Sequence, residues 1–175
     1  TNIREQRDSL FASFVIGIKV CENAIEEGRY LQAAALLRQE METLAQLKAV
    51  SRGKRNQKRA PNVGVLEESI ARLYGNLSAA AHVSIHDIVQ SATAWDVSGG
   101  DYPASTSGTR YFPAFDEGLA RRSFALHIIL ILRLIEELSI TLCEHNSDDG
   151  FSEREAEAVN LAVELMRIEG MVEVG

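Results

Sequence analysis

The chain has 175 residues, 46% of them apolar and 25% charged, enough for one domain with a substantial core. A formal net charge of −7 argues against a globally basic nucleic-acid binder and leaves room only for a local basic surface. Three prolines in all, among long stretches rich in Ala, Leu, Ile and Glu, predict an all-α, single-domain bundle of five or six helices over residues 1–175.

From Ile3 to Glu27, Leu10, Phe14, Ile18, Cys21 and Ile25 recur at three- and four-residue steps, the mark of one apolar helical face. Gly28 supplies its stop. A second helix runs from Tyr30 to about Val50 on a stripe of Leu31, Ala34, Leu37, Met41, Leu44 and Leu47, widened by Ala35 and Leu36. The short connection makes these two helices antiparallel neighbours. Residues 51–63 read as a basic loop, with Arg52, Lys54, Arg55, Lys58 and Arg59 near Gly53 and Pro61. Such a run is a solvated surface or, alternatively, a phosphate-contacting patch.

The third helix begins near Val65 and carries Leu66, Ile70, Leu73, Tyr74, Leu77 and Ala81. Beyond His82, the residues Ile85, Ile88 and Val89 either continue it or form a short helix after a bend. Periodicity vanishes over 93–115, a long irregular loop whose Trp95, Tyr102, Tyr111, Phe112 and Phe115 are expected to pack parts of it down. A long helix then covers Asp116 to His145. Its stretch 124–142 is very apolar, but His127, Arg133, Glu136 and Glu137 interrupt it, so a buried central helix and no membrane contact are expected. Finally, Ser152 as N-cap, Glu155 three positions on and Phe151 as a staple open a helix that turns Val159, Ala162, Val163 and Met166 inward and stops at Gly170. The N-terminus shows no secretory pattern, and Cys21 and Cys143 lie in apolar helical segments. Buried free thiols and a cytoplasmic location are expected.

Several groups carry possible chemistry. His82 and His86 are four apart with Asp87 beside them, but a metal needs further ligands, so both read as structural and no metal or cofactor is expected. Tyr74 and Ser78 share a face with His82, their hydroxyls bonding backbone carbonyls or a neighbouring helix. Arg38 with Glu42, and Arg133 with Glu137, are pairs at four-residue spacing. Facing one another, they would form an ionic network that is either structural or the floor of a pocket. The most chemically suggestive residues are Arg121, Arg122 and His127. An arginine holds a phosphate bidentately and a histidine moves a proton near neutral pH, the minimum kit for cleaving RNA through its own 2′-hydroxyl. Five positions separate Arg122 from His127, about 140° around a helix. The residues by themselves favour the plainer alternative, an interior His127 and surface arginines.

Three stretches carry a family resemblance: "GRYLQAAALLRQEMETLAQL" at 28–47, "YGNLSAAAH" at 74–82, and an arginine followed at loose spacing by a histidine, Arg122 or Arg121 with His127. Together they resemble the HEPN-like all-helical superfamily, in particular its DUF5677-type branch of uncharacterised bacterial proteins, over about residues 8–146. The resemblance implies a helical bundle, often a homodimer. It also implies either a metal-independent endoribonuclease of toxin–antitoxin or defence systems, or an inactive RNA-binding or interaction module. In the first case Arg122 would stabilise the scissile phosphate and His127 would transfer a proton. Ser123 stands where active members usually carry Asn, Asp or His, a mild departure.

Three functions are therefore open. The leading one is a non-catalytic module that binds RNA or a partner such as an antitoxin. The second is an endoribonuclease using Arg122 and His127, with the 52–59 basic run touching RNA. The third is a small-molecule pocket floored by Arg38, Glu42 and Arg133 beneath the 93–115 loop.

Overall fold

The computed structural model describes residues 2–53, 60–82, 89, 93–96, 107–109, 112–145 and 152–168. Among them are five α-helices, forming an all-α bundle: α1 (Ile3–Glu26), α2 (Tyr30–Ser51), α3 (Glu68–Ala81), α4 (Glu117–His145) and α5 (Glu153–Ile168). A single 3-10 turn at Val63–Val65 leads into α3. No helix among the described residues is long and apolar enough to cross a membrane.

α1 opens with a capping box that the apolar periodicity did not disclose. The Asn2 side chain accepts from the Arg4 amide at 3.3 Å while Glu5 Oε2 accepts from the Asn2 amide at 3.2 Å, satisfying two orphan donors of the first turn. The helix ends at Gly28, whose φ of +70° is comfortable only for glycine. A Cβ at Gly28 would also run into the Ala114 carbonyl, so the α1–α2 turn and the strap before α4 lie directly against each other. Tyr30 fastens that strap: its hydroxyl donates to the Asp116 carbonyl at 2.9 Å and accepts from the Asp116 amide at 2.8 Å.

α2 is the axis of the bundle, with α1, α3 and α4 all packed on it. Leu37, Met41, Leu44 and Leu47 are fully buried, each worth about 1.5–3 kcal/mol of transfer free energy. The arc is rotated relative to the periodic stripe. Ala33 is buried and Ala35 is exposed, because a helix with neighbours on opposite sides buries a wider and shifted face. At the end of α2, Arg7 of α1 donates from Nη2 to Ser51 Oγ at 2.8 Å and joins the two helices.

The expected boundaries need several corrections. α2 runs through Ser51 with Arg52 as its C-cap, so only part of the expected 51–63 basic loop is loop. Lys54, Arg55, Lys58 and Arg59 lie outside the described residues, as do His86 and Asp87. The segment 93–115 is not wholly irregular: β1 (Ala94–Asp96) pairs antiparallel with β2 (Ser107–Thr109), Trp95 opposite Gly108. Phe112 and Phe115 do not pack down but are exposed. Leu73 on α3 and Val163 on α5 point outward, since only Ile70 and Ala80 of α3 and Met166 of α5 are buried. Of the two thiols Cys21 is buried and Cys143 exposed. The capping box of α5 forms as read, with the Glu155 amide donating to Ser152 Oγ at 3.4 Å and the Ser152 amide to Glu155 Oε2 at 2.8 Å.

Candidate functional site

The polar residues of α2 divide between two places. Arg38 and Glu42 are one helical turn apart and share the side that meets α3; Glu40, about 200° around from Arg38, turns into the core. Each place collects partners from other helices.

At the first, Arg38 Nε donates to Glu42 Oε1 at 2.9 Å and more weakly to Tyr74 Oη at 3.3 Å. The Tyr74 hydroxyl in turn donates to the same Glu42 oxygen at 2.6 Å. Arg38 Nη1 lies 2.7 Å from His82 Nε2. Since a guanidinium only donates, this contact requires a neutral His82 ring with its proton on Nδ1. The guanidinium carbon also sits 5.5 Å from the Tyr74 ring centroid, within range of a cation–π interaction. The Tyr74 hydrogen bond, opposed by desolvation and supported by the charge and hydrogen bond of Glu42, raises the Arg38 guanidinium above its ordinary value. Partial burial and the Glu42 bond push the Tyr74 phenol upward. His82 is exposed and Arg38 and Glu42 are half-buried, so the cluster is open to a ligand.

This group unites residues that the sequence left apart. Tyr74 and His82 read there as packing residues, and Arg38 with Glu42 as an isolated pair. Arg133 does not join them. It bonds Glu67 at 2.6 Å and Glu136 at 2.6 Å, while Glu137, its expected partner, faces Lys48 at 3.5 Å. The three-residue pocket floor of Arg38, Glu42 and Arg133 is thus split into two ion clusters with no shared partner.

The second place is the core. His127 is 1% exposed, and its Nδ1 lies 2.9 Å from Glu40 Oε2, a residue itself 4% exposed. The periodicity of α4 explains the placement. His127 falls seven residues after Ala120 and three before Leu130, both buried, and therefore on the inward stripe. Arg121 and Arg122 lie on the exposed side of the same helix. The structure therefore does not bring Arg122 and His127 together on any accessible surface of the chain. Cys21 of α1 completes the interior group, its sulfur, a Glu40 oxygen and a His127 nitrogen all lying within 4.8 Å of one another. Burial pushes the Glu40 carboxyl upward, partly offset by the His127 hydrogen bond. Burial, and after it the Glu40 charge, push the Cys21 thiol well above its ordinary range.

Glu40 was missed in the sequence, although a signal was present. An acidic residue three positions after Leu37 and four before Leu44 stands in phase with an apolar stripe and needs a partner in the core. The partner lies 87 residues away, beyond the reach of local pattern.

No protein-family model matches this sequence, and no curated protein or solved structure matches it either.

The interior placement of His127 has a measurable consequence. His127→Ala should cost roughly 3–5 kcal/mol by urea denaturation, as expected for removing one partner of a buried pair. Arg122→Ala on the outer side of the same helix should stay within about 0.5 kcal/mol.

Proposed function

We propose that the protein is a non-catalytic helical interaction module that docks another helix, a second copy of itself in the first instance, against the outer face of α1. The observation that carries this reading is the apolar character of that face. Ile16 is 76% exposed and is flanked by exposed Val15 and Val20. Beside them an open groove of about 460 Å³ runs between α1 and α2, lined by Ser9, Ala12, Ser13, Gly17 and Leu36. Small residues along a groove let a second backbone approach closely, and large apolar residues on its rim supply the area to bury. On α5, Leu161, Leu165 and Ile168 form a separate set of exposed apolar residues at helical spacing. The net charge of −7 suits a protein partner better than RNA.

The resemblance to HEPN-like helical proteins supports the module reading. Its two most specific stretches, "LLRQEME" and "YGNLSAAAH", are the ones that touch through Arg38, Glu42, Tyr74 and His82. A role beside an antitoxin or in a defence system belongs to that same proposal.

One observation favours a second reading, metal-independent RNA cleavage at a relocated centre. Arg38, Glu42, Tyr74 and His82 provide a phosphate-binding guanidinium, a carboxylate and an accessible imidazole within hydrogen-bond reach of one another. His127 is buried and lacks that accessibility, and Arg122 lies on the other, exposed side of its helix.

Sedimentation analysis tests the first reading. The wild type should sediment as a dimer and Ile16→Glu as a monomer of unchanged helical content, whereas a monomeric wild type would refute self-docking. Incubation with mixed RNA in EDTA tests the second. The module reading predicts no cleavage, while cleavage that is lost in His82→Ala and kept in Arg122→Ala would establish the relocated centre.

A further inference from the structure

The interior group of Cys21, Glu40 and His127 has chemistry that helix docking leaves unused. Three different helices contribute one donor each: a sulfur from α1, a carboxylate oxygen from α2 and an imidazole nitrogen from α4, mutually within 4.8 Å. Glu40 Oε1 and His127 Nε2 are buried there without a hydrogen-bond partner among the described residues. Buried polar atoms in that condition are uncommon and call for an explanation. A void of about 20 Å³, room for one water, opens beside Glu40 and is lined by Ser13, Gly17, Gln39 and Thr43.

We infer that Cys21, Glu40 and His127 form a binding site for one divalent transition-metal ion of borderline softness, zinc in the first instance, with a water in the fourth position. The donor set is the primary argument. One sulfur, one nitrogen and one oxygen suit zinc or cobalt, whereas calcium and magnesium take oxygen shells. Charge is the second argument. A dication with one thiolate, one carboxylate and one neutral imidazole sums to zero, the cheapest electrostatic state for a core. The thiol proton displaced on binding passes to solvent, and the cation supplies the stabilisation that the thiolate lacks in its absence. Geometry is the third. Zinc bonds of about 2.0–2.3 Å set tetrahedral donor separations of about 3.3–3.6 Å. The three donors already lie within 4.8 Å of one another, and binding would exchange the 2.9 Å His127–Glu40 hydrogen bond for two metal bonds. The metal would staple α1, α2 and α4 at one point in the core.

The test is to refold the full chain from urea in the presence of cobalt(II), as a spectroscopic probe, and then of zinc. One equivalent should bind, with a thiolate-to-cobalt charge-transfer band. The band should survive Cys143→Ser, which removes the exposed thiol, and vanish in Cys21→Ser. Excess zinc should raise the wild-type Tm by several degrees and leave that of Cys21→Ser unmoved. Glu40→Gln should weaken zinc binding at least tenfold. X-ray absorption of the zinc-loaded wild type, which needs no variant to fold, should show one sulfur in the first shell. A folded wild type without the cobalt band, a band that persists in Cys21→Ser, or a zinc shell without sulfur would each overturn the site.

Discussion

A hydrogen bond between two ionisable side chains in the middle of the core organises this bundle. Glu40 and His127 meet at 2.9 Å out of reach of bulk solvent, and neither group tolerates such surroundings without a partner. The bond therefore dictates the rotation of α4 against α2, since a slip of either helix would strand a polar group in hydrocarbon. Apolar contacts such as Leu37, Leu44 and Leu130 supply most of the burial but tolerate alternative packings. A directional pair does not. Cys21 extends the same point of contact to α1, so three helices are referenced to a single polar locus.

This arrangement also decides where chemistry can occur. Along α2 the polar residues alternate between the two sides: Glu40 serves the interior, while Arg38 and Glu42 reach outward to Tyr74 and His82 on α3. The interior group has lost access to large substrates, and only an ion or a water fits there. The outer group keeps access and holds its arginine with three partners in a defined orientation. The accessible polar cluster therefore lies between α2 and the end of α3, while the outer face of α1 exposes Val15, Ile16 and Val20.

Much of the fold was legible because helices report themselves locally. The i, i+3, i+4 stripes located all five described helices, and Gly28 and the Ser152–Glu155 box marked ends that the structure reproduces. The short β1–β2 ladder was not legible, because three-residue strands leave no period to detect and their pairing joins residues from opposite ends of a loop. The site divided in the same way. Arg38–Glu42 is an i, i+4 pair and could be read directly. Its link to Tyr74 and His82, and that of His127 to Glu40, depend on which helices become neighbours, which no local pattern encodes. The 140° of helix between Arg122 and His127, already readable from their spacing, places the arginine outward and the histidine inward.

The most direct test of a His127 locked inside the bundle is its chemical accessibility. Native protein would be treated with diethyl pyrocarbonate, and carbethoxylation of each histidine would be followed by peptide mapping. The structure predicts rapid modification at the exposed His82 and protection of His127 until the chain is unfolded in urea. Modification of His127 in the native protein at a rate like that of His82 would contradict the buried pair and return Arg122 and His127 to consideration as an accessible centre.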